Sequence, residues 1–185
     1  MKLILASNSP RRKEILKNGG FDFEIINSDY NENAFSADPV LTAETFALGK
    51  AKSVYDKLPN KDGFVVLGAD TVVYNGLILG KGKSDDDAKK MLKTLSGKTH
   101  QVITGYALVY NGGQIVGHVK TDVTFNNLSN ELIDEYVGSG LYKGKAGCYG
   151  IQDGYPLVKS YDGSLSNVIG LPEEAVFPLL KKLLK

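Results

Sequence analysis

The sequence predicts an α/β chain of mixed α+β character, a mixed sheet flanked by helices, and three observations carry the prediction. Apolar runs of strand length, residues 3–6 and 64–67, stand apart from segments with a helical period. Two turn signatures, Asn75-Gly76 and Asn111-Gly112-Gly113, sit between strand-like segments and mark antiparallel hairpins. Helix caps recur at Ser9, Thr42, Ser84 and Ser129, so helices and strands interleave along the chain.

Taken in order, residues 3–6 form a buried strand that breaks into Ser7-Asn8-Ser9. Ser9 can cap the helix at 10–18, whose first position suits Pro10 because the missing N–H would have no partner there. Gly19-Gly20 ends that helix, residues 21–26 alternate as a strand, and 27–39 are polar and irregular, which reads as a loop. Thr42 offers the next cap, with Glu44 in the first turn of a helix running through about Tyr55. The strand at 64–67 empties into a turn, Gly68-Ala69-Asp70-Thr71, and the first hairpin follows with arms at 72–74 and 77–79.

Ser84 opens a helix with Asp85, Asp86 and Asp87 in its first turn, lysines behind them, and Ala88, Met91, Leu92 and Leu95 on one face. Residues 101–110 and 114–125 are two long strands around the second hairpin. Ser129 opens a short helix carrying Leu132, Ile133, Tyr136 and Val137. After a glycine-rich stretch, 138–154, residues 168–172 lead into a last helix with Glu173 and Glu174 first and Lys181, Lys182 and Lys185 last. Pro178 inside that pattern implies a kink or two shorter pieces.

No repeat or linker divides the 185 residues, so a single domain over 1–185 with a sizeable core is expected. A formal net charge of +1 argues against nonspecific partners such as nucleic acid or an anionic membrane. The single cysteine, Cys148, leaves no internal disulfide and fits a reducing compartment, so the cytoplasm is expected. No apolar run reaches the length of a membrane span, and Pro10-Arg11-Arg12 comes too early for a secretory signal.

A strand, a polar turn, a helix N-terminus and two arginines make a phosphate grip: Arg11 and Arg12 bring planar forks to free backbone N–H groups. A capped surface helix is the plainer reading, although cations oppose the dipole at that end. Asp70, where the buried strand gives way, can hold a hard divalent cation or activate water, and equally can cap a turn. Glu32, Lys50 and Lys81 each read alone as a solvated charge. In the run from Lys143 to Gln152, glycines permit close approach of a ligand, Lys145 can meet charge, and Gln152 can both donate to and accept from a nucleobase edge. Neither a Walker A order nor a dinucleotide fingerprint is present. His100 and His118 have no cysteine partner with zinc spacing, and Cys148 reads as a small packed residue.

As an ordered set, these residues resemble a known family. The segments are Ser7-Asn-Ser-Pro-Arg-Arg12, Glu32, Lys50, Gly68-Ala-Asp-Thr71, Gly80-Lys81, Leu95 through Thr104, Lys145 through Gln152, and Gly163 through Pro172. Together they are similar to the Maf nucleoside triphosphate pyrophosphatases, from about residue 3 to about residue 180. The resemblance implies a two-lobed, elongated twisted sheet around a cleft, related to inosine triphosphatases. It implies hydrolysis of a nucleoside triphosphate to the monophosphate and pyrophosphate with Mg²⁺ or Mn²⁺, by a homodimer.

Carried over residue by residue, Ser7, Arg12, Lys50 and Lys81 hold the phosphate chain, Glu32 and Asp70 hold the metal, and Asp70 activates the attacking water. Arg11, Thr71 and Gln152 match the subgroup acting on dTTP, UTP and modified uridine triphosphates, with Thr71 and Gln152 reading the base and Lys145 beside them. A 7-methyl-GTP or inosine triphosphate pyrophosphatase, or a nucleotide-binding septum-formation inhibitor, stays open as an alternative. Two positions depart from the family pattern: Gly82 stands for its usual proline, and Gly144 for an aspartate beside Lys145.

Overall fold

The computed structural model describes residues 1–32 and 36–185; residues 33–35, inside the expected loop, lie outside the described residues. The elements run β1 (Lys2–Leu5), α1 (Pro10–Asn18), β2 (Phe23–Ile25), α2 (Pro39–Tyr55), β3 (Phe64–Tyr74), β4 (Ile78–Leu79) and α3 (Asp85–Leu95). They continue with β5 (Thr99–Tyr110), β6 (Gly113–Phe125), α4 (Asn130–Gly138), β7 (Val158–Asp162), α5 (Leu165–Ile169) and α6 (Glu173–Leu183). The strands form one mixed sheet in the order β2-β1-β3-β5-β6-β7, with β4 on the margin of β3. β1 pairs in parallel with β2 and β3, and every other pairing is antiparallel.

Both faces of the first strands are apolar because helices cover both. On one face Ala47, Ala51 and Val54 of α2 pack on Ile4, Val66 and Ala107. On the other, Ile15 and Leu16 of α1 with Val176 and Leu180 of α6 pack on Leu3, Leu5, Val65 and Leu67. A separate core gathers Leu92 and Leu95 of α3 with Ile133 and Tyr136 of α4 against Val73, Val102, Val123 and Phe125. The strands β3, β5 and β6, of 11, 12 and 13 residues, run through both packing centres and join the two lobes.

The expected helices at 10–18 and after Ser84 and both hairpins are present, and the differences have physical causes. Asp70 lies within β3 and not at a turn after it, because the ladder to β5 continues unbroken from Val65↔Tyr110 to Tyr74↔Gln101. The second helix begins at Pro39 and not at Thr42: Asp38 accepts from the Val40 and Leu41 amides at 2.8 and 3.3 Å, and Pro39 takes the first turn. Ser9 occupies the cap position of α1, yet its side chain caps nothing. β7, an exposed edge strand, and the five-residue α5 carry no periodic signal and were not expected. α6 continues through Pro178, held by the buried Val176 and Leu180 on either side of it.

One gap in the sheet sets the place for chemistry. β1 reaches only as far as Leu5↔Leu67, and β4 joins at Val73↔Leu79. Among the described residues, the margin of β3 between them, residues 68–72, has no strand neighbour on that side. The chain leaving β1 turns through Ser7 into α1 at this opening, the carboxyl end of a parallel strand, where open α/β sheets hold ligands.

Candidate active site

Two glycines bring α2 down onto the sheet. A Cβ on Gly68 would lie 2.2 Å from the Ala47 carbonyl oxygen, and one on Gly105 would lie 2.3 Å from that of Ala43. Gly105 is the ladder partner of Asp70, so one of these two close helix–sheet approaches falls beside that residue. The approach delivers Lys50 Nζ to 2.6 Å from Asp70 Oδ1 and 2.9 Å from Glu32 Oε1. Lys50 and Asp70 are buried, and Glu32 is half-buried.

One ammonium therefore serves two acids in different surroundings. Burial pushes the Asp70 carboxyl above its ordinary value, despite the opposing pull of Lys50 and Arg12. Burial also acts to raise Glu32, but Lys50, with Lys81 and Arg12 behind it, outweighs that and holds the carboxyl below its ordinary value. Two carboxyls driven apart in this way can divide their roles, the raised one being suited to receive a proton.

The anion side is built from the turn after β1. Ser7 Oγ accepts from the Ser9 amide and from Arg12 Nη1, both at 3.2 Å. Arg12 also donates through Nε to the Gly170 carbonyl at 2.8 Å and through Nη2 to Thr71 Oγ1 at 3.2 Å. Of the five donors a guanidinium carries, two remain for a ligand. Because no side chain caps α1, its first amides also remain available to an anion. Lys81 stays exposed, fixed by a bridge to Ala146 and by the Gly147 amide donating to the Gly80 carbonyl at 3.0 Å.

A cleft of about 400 Å³ takes in Ser7, Arg11, Arg12 and Thr71 on one side and Glu32, Lys50, Asp70 and Lys81 on the other. Lys145 and Gln152 line a neighbouring hollow of about 30 Å³ that shares Arg11, Thr71 and Ala146 with the cleft. That hollow has room for about a water or two. A larger depression, about 590 Å³, lies at the outer edge of the sheet near Met1, Phe21 and Lys185 and contains none of the sequence-predicted site residues.

Sequence reasoning missed Asp153. Its carboxylate accepts from Lys145 Nζ, at 2.6 Å through Oδ1 and again through Oδ2, and from the Tyr136 hydroxyl at 2.6 Å. In sequence, Asp153-Gly154 reads only as a turn. Lys145, preceded by Gly144 and not by an acid, is thus paired with Asp153. Gly144 itself has φ +73°, a backbone state that favours glycine. At Gly82, an added Cβ would lie 2.6 Å from Cys148 Sγ, the atom that receives the Gly82 amide at 3.1 Å.

The donor set fits a hard divalent cation. Glu32 and Asp70 converge on one ammonium, which marks a point where positive charge is stable, and Mg²⁺ commonly takes one or two carboxylates together with substrate phosphates. Among the described residues no group of three His, Cys, Asp or Glu forms a cage of its own. No helix among them is long and apolar enough to cross a membrane.

An open mixed sheet with long strands shared by two lobes defines a fold class that includes the Ham1 protein of Staphylococcus aureus. The two align with a TM-score of 0.53 and 16% identity over 85% of this chain and 80% of that one, a likeness of fold alone. The family model described as Maf-like protein matches residues 2–183, and the chain belongs to the Maf family. Among its relatives, the dTTP/UTP pyrophosphatase of Thermosipho africanus is 47% identical over 97% of this chain and 92% of its own length. Those of Pyrococcus abyssi and Acholeplasma laidlawii are 43% and 44% identical, each over 97% of this chain and 95% of the relative.

Proposed function

We propose that this chain, as one catalytic domain over residues 1–185, hydrolyses dTTP, UTP and modified uridine triphosphates to the monophosphate and pyrophosphate. The observation that carries the reading is a single buried ammonium, Lys50, shared by Glu32 and Asp70 in a cleft walled by Ser7, Arg12 and Lys81. The name dTTP/UTP pyrophosphatase on full-length relatives supports the same reaction and the pyrimidine substrates.

In the proposed reaction Ser7, Arg12, Lys81 and the first amides of α1 donate to the phosphate oxygens and hold the chain of phosphates in line. Glu32 and Asp70 would hold Mg²⁺ or Mn²⁺, which when bound would supply positive charge beside the phosphate oxygens. Lys50 donates to Asp70 Oδ1, which leaves the carboxylate a second lone pair on that oxygen and both on Oδ2, enough to meet a cation and to take a proton from the attacking water. The water oxygen bonds to the α-phosphorus, the bond from that phosphorus to the bridging oxygen breaks, and pyrophosphate leaves. Arg11, Thr71, Lys145 and Gln152 face the base. The cytoplasm and a homodimer complete the reading, the latter checked by sedimentation.

Asp70→Asn tests the assignment. A positioned general base contributes roughly 10²–10⁴-fold, so turnover falls by that factor or more while the circular dichroism spectrum keeps its wild-type shape; Tm, read alongside, falls because the buried Lys50 loses one charge partner. Near-normal pyrophosphate release from that variant defeats the role. A panel of triphosphates decides the substrate: preference for 7-methyl-GTP or inosine triphosphate replaces the pyrimidine reading, and tight binding without turnover replaces the enzyme.

A further inference from the structure

Asp153 stands in no catalytic role above, yet it is the most completely engaged acid near the base side of the cleft. Its side chain is 6% exposed and that of Lys145 10%. Tyr136, fully buried, donates its hydroxyl to Asp153 Oδ2 and receives the Gly150 amide at 3.1 Å. Burial and then the bond to Asp153 push the Tyr136 hydroxyl upward, which keeps it a donor. Gly150 leaves room for the carboxylate, since a Cβ there would lie 2.6 Å from both oxygens. A tyrosine and a lysine thus hold one carboxylate, with the Gly150 backbone close against it.

The charge this carboxylate meets is on the base side. Lys145 lines the small hollow with Arg11, Thr71 and Gln152, and the Asp153 charge also reaches Arg11. Without Asp153 that hollow would hold two cations and no acid, and would compete with the Ser7–Arg12–Lys81 cradle for a phosphate. With it, the ammonium is held in place and its charge is matched. An ammonium has three protons, and the two carboxylate oxygens engage two of them, leaving one to donate.

We infer that Asp153 is a positioning residue for base recognition: it fixes Lys145 so that its remaining proton is offered to the C4 carbonyl of uracil or thymine, and it keeps that hollow from drawing the triphosphate. An ammonium can only donate, so it favours a C4 carbonyl and disfavours the C4 amino group of cytosine. The inference rests on the nucleotide-binding reading above and deepens it.

Equilibrium binding of UTP, CTP and inorganic tripolyphosphate, measured by calorimetry in EDTA, tests it without turnover. Wild type binds UTP more tightly than CTP. In Asp153→Asn, UTP binding weakens about tenfold, the UTP to CTP ratio falls toward one, and tripolyphosphate binds as well or better. Lys145→Met and the double variant lose the same discrimination without adding to each other, because both changes act through one ammonium. Thermal unfolding of each variant, run alongside, reports loss of packing. A ratio that is already one in wild type, or that stays at its wild-type value in Asp153→Asn, overturns the inference. Failure of wild type to release pyrophosphate from UTP would instead strike the proposed reaction and leave the binding ratio to judge this one.

Discussion

Gly105→Ala is the sharpest test of how the site is assembled. The new Cβ would fall 2.3 Å from the Ala43 oxygen, 2.4 Å from the Ala43 carbonyl carbon and 2.7 Å from the Glu44 amide nitrogen, all of them helix backbone. Relief of the worst contact needs about 1 Å of separation before ordinary van der Waals distance is reached. No flexible side chain can yield, so α2 itself must lift, and Lys50 rides on it. A similar shift at Lys50, now 2.6 Å from Asp70, would carry that bond past hydrogen-bonding distance. Overpacking of this kind costs about 1–3 kcal/mol, which lowers Tm by roughly 2–10 °C for a chain of this size. A displacement of about 1 Å at the reacting groups reduces turnover on the order of 100-fold. Pyrophosphate release and scanning calorimetry on the same preparation give both numbers. Gly138→Ala is the control, since nothing lies within 4 Å of its added Cβ, and it leaves both readouts near wild type. Wild-type activity and Tm in Gly105→Ala would show that α2 is not held at this distance by the sheet.

Lys50→Met removes the cation shared by Glu32 and Asp70; breaking such a buried pair costs about 3–5 kcal/mol. Millimolar Mg²⁺ or Mn²⁺ then raises the Tm of the variant more than that of wild type, and equal responses would count against a cation site at those carboxylates. His100 supplies a pH signature: burial pushes its imidazole down to about 4, its Nδ1 has no partner among the described residues, and Nε2 shares a 2.7 Å hydrogen bond with Tyr149. Between about 4 and the unfolded value near 6.5 the unfolded chain binds the extra proton, so stability rises with pH across that window and is lost as pH falls, by up to about 3 kcal/mol. In His100→Phe this component disappears, whatever constant offset the lost Tyr149 bond leaves; urea midpoints at pH 4.5, 5.5 and 7 that differ equally in both proteins would refute it.

Much of this arrangement was legible in the sequence where local physics decides the outcome. The Ser84 cap with three aspartates behind it and the short apolar run from Leu3 to Ala6 each specify a single local structure. Asp70 was misread as a turn residue because Gly68-Ala69-Asp70 is turn-like in composition, whereas Gly68 is there to admit α2 against the sheet, a fact that only packing reveals. Asp38-Pro39 took the start of α2 from Thr42 because a cap followed by proline at the first turn is the stronger signal. Glu32, Lys50 and Lys81 each looked like solvated charges, since what makes them a site is proximity across α2, β3 and the loop after β4. Asp153 was hidden for the same reason: its partner Lys145 lies eight residues away in a glycine-rich run with no period, and its other partner is on α4.

The interruption of the ladder along β3 has a bearing on how such a site can be probed. Over residues 68–72 the polypeptide has main-chain amides and carbonyls with no strand against that side among the described residues, directly beside Asp70 and Thr71. Groups of that kind belong to every residue alike, and replacement by alanine leaves them where they are; only proline deletes the donor. A side-chain scan of the cleft therefore leaves these main-chain groups untouched, and only a change that deletes an amide reads what they do.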